Sequence, residues 1–359
     1  MLLFFSKFVV TNILFSVILC SVFIRLNKDG KHSNLGLLLH SLGLGPAFTT
    51  LLLYYSFLLV PHRSNVFYLL LIAGVYFLLA VTGRKSFEPL YKNIKSNIRN
   101  LFRIFRKPVF RKIENIILIT IICVPLALYL FVYLTKILHQ PLIGHDILNY
   151  GIMGRILFEE KSLAPIWVKN FANSGFLYGV LHAPSFSLLL TWEELVNSFF
   201  HVKSDLYFKS ISSYYGLLIL STQYYWIAKK NRWLAILAAF ALLSGLAFFL
   251  IYFSEHIDSY RVLLFGISWI YLAYAIKEKD FLSLLMFGIF SGFAAFAHRI
   301  GVVIAVINCV AFCIISDTNF KRRVIETAVV VLLILAFGGS HYVFDIIWGQ
   351  GAWLPRFWK

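Results

Sequence analysis

An all-α bundle that crosses a membrane repeatedly, with about 10–11 spans, is the fold class this chain predicts, and three observations predict it. Hydrophobic residues make up 60% of the 359 positions and charged residues only 14%, and the mean hydropathy is +0.80; soluble domains do not reach these values. Apolar runs of roughly 16 to 25 residues, the length that spans a bilayer, recur from one end of the chain to the other. The net charge of +17 comes from Lys and Arg placed in short segments between those runs. Charge in that pattern orients a membrane protein by the positive-inside rule, and it excludes a nucleic-acid partner as its explanation.

The first apolar run, residues 3–24, has neither a basic leading region nor a small-x-small cleavage site, so it reads as a retained span. Further runs cover 35–60, 65–82, 114–137, 206–228, 233–253, 261–276, 281–297, 301–316 and 324–344. In the second of these, Gly43, Gly45 and Pro46 mark a place where helices approach closely. Cys20, Cys123, Cys309 and Cys313 all lie within apolar runs, without metal-binding spacing, which predicts packing roles.

Between Arg84 and Lys112 stand ten Lys or Arg against the single acid Glu88, interleaved with Leu, Ile and Phe at helical spacing. That pattern predicts an amphipathic helix on anionic lipid, with a solvated basic connector as the alternative. The linker, 84–113, divides the chain into a three-span unit, 1–83, and a larger membrane unit, 114–359. Basic residues also follow the first span (Arg25, Lys28, Lys31) and the later ones (Lys229, Lys230, Arg232; Lys277, Lys279; Lys321 to Arg323). All of these fall on one side if segment 182–200 makes no full crossing. The Glu193-Glu194 pair in that segment, with no cation nearby in sequence, favours a juxtamembrane or re-entrant helix there.

The other face then receives a short polar inventory. It holds His145 and Asp146 in the loop 138–181, then His182, Glu255 and Asp258, His298-Arg299, and the tail from His341 with Asp345. Acids, His and Arg converging over an apolar scaffold are what a membrane-surface active site requires. Asp146 suits a general base or substrate anchor at the lipid boundary, or an N-cap of the run Ile147 to Phe158. Arg299 suits a phosphate group, or a side chain that snorkels to the interface. Glu255 and Asp258 share a face if helical, and are otherwise a solvated loop. His182 either contacts substrate or caps the helix that follows, and Glu159-Glu160-Lys161 reads as a solvated turn.

These residues carry a resemblance. Asp146 shortly after a span, Tyr150 in an amphipathic loop, and His182-Ala183-Pro184 opening the next helix are similar to the GT-C glycosyltransferases, polytopic enzymes that include protein mannosyltransferases and the aminoarabinose transferases of lipid A. The likeness continues through Asp258-Ser259-Tyr260 and the run GIFSGFAAFAHRIGVVIAV at 288–306, and covers about residues 114–316. Ala183 and Ser259 stand where many members have Pro, and His298-Arg299 where Lys-Pro or Lys-x is common.

The resemblance implies a GT-C-like bundle in a bacterial inner or plasma membrane, with its active site extracytoplasmic. The donor it implies is a polyprenyl-phosphate-linked sugar, the acceptor a lipid, glycan or protein, and membrane lipid is a further partner. Asp146 would be the base of an inverting transfer, while His145, Tyr150, His182, Glu255, Asp258, His298 and Arg299 would bind substrate. Asp258 or Glu255 could hold a divalent cation, which some members need and others do not. The rival classes are a transporter or flippase of lipid-linked saccharides and another enzyme of envelope polysaccharide assembly. A transporter would carry broken helices in paired repeats and midplane charges, and no such pattern appears.

Overall fold

The computed structural model describes residues 1–106, 145–167, 183–245 and 257–347, with a few positions between 120 and 135. Among the described residues all regular structure is helical. In chain order the helices are α1 (Leu2–Leu26), α2 (Asn34–Leu59), α3 (Asn65–Gly83), α4 (Phe87–Arg106), α5 (His145–Glu160) and α6 (Ala164–Trp167). They continue as α7 (Ser185–Phe199), α8 (Leu206–Ala228), α9 (Arg232–Ser244), α10 (Asp258–Glu278), α11 (Phe281–Ala297), α12 (Arg299–Ile315) and α13 (Phe320–Ile347).

Among the described residues five helical runs are long and apolar enough to cross a membrane: Leu2–Leu26, Asn34–Leu59, Asn65–Ser96, Asp258–Glu278 and Phe320–Ile347. Their outward sides suit lipid. Leu70, Phe77 and Leu78 of α3, for example, are about two-thirds exposed. The linker expected to be amphipathic forms α4, in which Glu88 pairs with Lys92 at 2.6 Å. The run 114–137 and Cys123 lie outside the described residues.

Polar side chains set where the helices begin. Ser33, Ser64, Asn231, Asp280, His298 and Asn319 each stand just before a helix and accept a hydrogen bond from a backbone N–H in its first turn. This satisfies donors that a helix start would otherwise leave unpaired, which is costly in a membrane. Short loops follow, so consecutive helices fold back on one another.

The core runs without a break from Phe4 in α1 to Val330 in α13, so the three N-terminal helices share it with the later ones. Gly45 lies so close to α1 that a Cβ there would sit 2.7 Å from the Thr11 carbonyl oxygen, and Gly43 is packed against Leu263 of α10. The small residues of the second run therefore permit the close crossings expected of them. Polar groups are turned inward: Tyr207 Oη donates to Asn12 Oδ1 at 2.7 Å, Trp192 Nε1 to Thr11 Oγ1 at 2.9 Å, and Tyr215 Oη to the Gly43 carbonyl at 2.7 Å.

The basic loops meet at one end of the bundle. Lys31 donates to the Glu278 carbonyl at 2.7 Å, Lys279 to the Asp317 carbonyl at 2.5 Å, Arg322 to the Lys279 carbonyl at 3.3 Å, and Arg25 to the Thr82 carbonyl. Loops far apart in sequence thus gather as the charge pattern predicts.

Segment 182–200 needs one correction. Its helix, α7, has 15 residues, about 22 Å long and shorter than a bilayer core of about 30 Å. Yet Glu193 and Glu194 are not unpaired. Lys7 Nζ bonds Glu193 Oε1 at 2.9 Å and Asn197 Oδ1 at 2.7 Å, while Arg155 reaches Glu194 at 2.7 Å. The Glu193 carboxylate also accepts the backbone N–H groups of Tyr207 and Phe208, each at 2.9 Å, and so caps α8. The acids therefore serve packing between helices, through partners remote in sequence.

Candidate functional site

Helix length places the site. Thr50 stands sixteen residues into α2 and Tyr260 eighteen before the end of α10, so at 1.5 Å per residue both lie roughly 25 Å from the basic loops. Ala297, at the end of α11, lies at the same level. That height is near the far boundary of a hydrocarbon core of about 30 Å.

Remote stretches meet there. Ser185 Oγ is 2.5 Å from Tyr260 Oη and 3.2 Å from Thr50 Oγ1, a buried hydroxyl trio joining α7, α10 and α2. Ala183 packs with Ala295, Tyr342 and Val302. Tyr342 Oη donates to the Ala295 carbonyl at 2.9 Å, and the Arg299 and Asp345 charges both act on that phenol. Tyr54 lies edge-on to His341, ring centroids 5.7 Å apart. The Tyr54 hydroxyl and His341 Nδ1 are buried without a hydrogen-bond partner. A further partner at that spot would satisfy both.

Helix α5 runs parallel to α7 along one side of this level. Tyr150 meets Phe186 edge-on at 5.5 Å, Thr191 Oγ1 donates to the Gly154 carbonyl at 2.9 Å, and Arg155 pairs with Glu194. Gly154 makes the contact possible, since a Cβ there would stand 2.5 Å from the Ser187 carbonyl oxygen. The first turn of α5, with His145 and Asp146, therefore lies beside the Ala183 end of α7.

The predicted residues fare differently. Asp146 is the second residue of α5, inside the first turn and not ahead of it, where a helix favours negative charge. The side chains of His145 and Asp146, and all of His182 and Glu255, lie outside the described residues. Tyr150 is only 1% exposed, so its ring fills the α5–α7 interface. Asp258 opens α10 and holds Arg261 at 2.7 Å. His298 is buried and caps α12, its Nδ1 accepting from Ile300 N at 3.1 Å, which leaves the ring proton on Nε2. Arg299 is exposed and makes no ion pair among the described residues. Glu159 and Glu160 are exposed, but they form the last turn of helix α5 and not a loop turn, with Glu159 3.9 Å from Arg155.

The described residues contain no group of three His, Cys, Asp or Glu able to hold a metal ion. Of the two residues named for a divalent cation, Asp258 is engaged by Arg261, and Glu255 lies outside the described residues.

Sequence reasoning missed the hydroxyl trio and the Lys7–Glu193 contact. Serine, threonine and tyrosine within apolar runs carry no local signal of which neighbours they will meet.

Compared with protein-family models, curated proteins and solved structures, the chain has no match in any of the three.

Proposed function

We propose that this chain is a GT-C-like membrane glycosyltransferase, with the basic loops cytoplasmic and the polar level near Thr50, Ser185 and Tyr260 extracytoplasmic. The observation that carries the reading is that Ala183, Tyr260 and Tyr342 come together at that level, where Arg299 opens α12 just past the end of α11. They come from four parts of the sequence, and the first turn of α5 with Asp146 lies beside them. All of these except Tyr342 lie in the stretches that the resemblance assigns to the active site.

In this reading a polyprenyl-phosphate sugar enters from the lipid with its phosphate on Arg299, an exposed guanidinium that makes no ion pair among the described residues. The acceptor hydroxyl oxygen attacks the anomeric carbon as the bond to the phosphate oxygen breaks. Asp146 takes the hydroxyl proton, and polyprenyl phosphate leaves with the bonding electrons. The phosphate is a competent leaving group, so positioning and charge stabilisation supply most of the acceleration.

The test is sugar transfer by purified protein in nanodiscs, from a panel of labelled polyprenyl-phosphate sugars. Asp146→Asn should lower kcat by two or more orders of magnitude, since it keeps size and removes the base. Arg299→Gln should raise the KM for the donor about tenfold or more, the cost of one charge-assisted contact. Transfer undiminished in Asp146→Asn would remove that residue from the mechanism. No transfer from any donor, with flipping of the same lipids across the nanodisc's parent vesicles, would replace the enzyme by a transporter.

A further inference from the structure

At the opposite end of the bundle, between α2, α8 and α9, lies an open groove of about 720 Å³. Its described lining is Leu35 and Leu39 of α2, a stretch of α8 from Leu220 to Lys229, and Ala239 and Leu243 of α9. Lys229 is the one charged residue in that lining. It stands at the end of α8, at the level of the basic loops. Leu220 is nine residues deeper along α8 and Leu243 about eleven deeper along α9, so the apolar floor reaches about 14 Å below the rim.

The ammonium at the rim is held in place without being neutralised. Its Nζ lies 3.8 Å from the centroid of the Trp226 ring and 4.5 Å from that of Tyr225. Trp226 is fixed in turn by donation from Nε1 to His40 Nε2 at 3.2 Å, and Tyr225 by its contact with the Ser33 hydroxyl. Ring faces attract a cation but leave its full charge. No carboxylate pairs with Lys229 among the described residues; of the acids at this end, Glu278 stands beside Lys277 and Asp280 accepts from Ser283. Lys230 and Arg232 follow in the same turn, so the local field at the rim is positive.

An apolar trough that descends from a fixed cation, in a bundle with a lipid-facing exterior, has the chemistry of one amphiphile: an acyl chain below a phosphate. We propose that this groove is a binding site for an anionic glycerophospholipid, with an acyl chain along Leu39, Leu220 and Leu243 and the phosphate on Lys229. The proposal rests on the membrane setting and not on the glycosyltransferase reading, since the groove lies at the other end of the molecule from Arg299.

The experiment uses the full chain in detergent, titrated with phosphatidylglycerol or phosphatidylcholine carrying brominated acyl chains, with tryptophan quenching as the readout. Wild type should prefer phosphatidylglycerol about fivefold, the effect of one basic residue near a membrane surface. Lys229→Arg should keep the preference, because it retains both the charge and the stacking on Trp226. Lys229→Gln should abolish it, and Ala239→Phe, which fills the trough, should weaken both lipids. Lys321→Gln, a basic change at the same end outside the groove, should leave the preference unaltered. Equal affinity for the two lipids, a preference that survives Lys229→Gln, or unchanged binding in Ala239→Phe would overturn the proposal. So would full competition by glycerol phosphate lacking acyl chains, which would mark a free phosphate site. Each outcome leaves sugar transfer, measured separately, untouched.

Discussion

The Lys7–Glu193 contact joins α1 to the start of α8 through α7, and removing one partner should be far worse than removing both. The Lys7 side chain is 2% exposed and that of Glu193 fully buried. Breaking a buried pair by deleting one member strands an uncompensated charge, at a cost of about 3–5 kcal/mol. In Glu193→Leu the two N–H groups of Tyr207 and Phe208 also lose their acceptor, and loss of a helix cap adds about 1 kcal/mol. Lys7→Met leaves the carboxylate buried with only those two donors, and should cost about 3 kcal/mol or more. The double variant, Lys7→Met with Glu193→Leu, buries no lone charge and fills the volume with apolar atoms. It should therefore be more stable than either single variant. Equilibrium unfolding in mixed micelles, driven by the mole fraction of sodium dodecyl sulfate and followed by circular dichroism, gives all four corners of the cycle. If the double variant lost as much as the two single losses combined, the residues would be acting independently and the argument for a coupled pair would fail.

Two further outcomes follow from the geometry. Gly301→Ala would drive its new Cβ into the Ala294 carbonyl at the α11–α12 turn, whereas Gly74 and Gly266 have open space around them. Gly301→Ala should cost about 3 kcal/mol, and Gly74→Ala should be neutral or stabilising by about 0.5–1 kcal/mol, as read from melting in detergent; equal effects would refute the packing. Stability should also fall with acid through the His32–Ser283–Asp280 contact at the basic end. Ser283 donates its one hydroxyl proton to Asp280 at 2.5 Å and so accepts from the His32 ring at 2.9 Å. Burial holds the imidazole below its usual 6.5, against the pull of Asp280 at 3.6 Å. Burial also raises the Asp280 carboxyl, but the two hydrogen bonds from Ser283, helped by His32 and Lys31, outweigh it and leave the group below 3.8. Both contributions are present at high pH; the His32 part is lost as pH falls below about 6.5, and the Asp280 part as pH falls below the ordinary 3.8 and through its lowered value. His32→Gln should flatten the melting temperature between pH 7 and 5, and an unchanged slope in that variant would exclude the imidazole as its source.

Helix positions were legible because their causes are local, whereas among the described residues only five helical runs are long and apolar enough to cross a membrane. The run 35–60 is observed as Asn34–Leu59 and the run 281–297 as Phe281–Ala297, each opened by a capping side chain that stands in the sequence. The gathering of basic loops was legible for the same reason, since parity of crossings decides it. What sequence could not show is which polar groups face each other across helices. Glu193 looked unpaired because its cation lies 186 residues away. Tyr150, expected to bind substrate, lies buried against Phe186, because an aromatic residue on an amphipathic helix presents the same pattern whether it meets ligand or a neighbouring ring. His298 was singled out as a ligand for substrate, and its ring instead caps the helix that Arg299 begins, leaving the guanidinium as the group free to act.

The distance between Lys7 and Glu193 along the chain also has a consequence for assembly. Translation proceeds from the N-terminus at about 5–20 residues per second, so the 186 residues that separate the two take on the order of 10–40 s to make. Throughout that interval the first helix carries an ammonium group whose carboxylate does not yet exist. The lysine lies about one and a half turns from the N-terminal end of α1, within reach of water by extending its stem. Its buried pair with Glu193 forms only after α7 has been made, so the final packing of α1 waits on the middle of the chain.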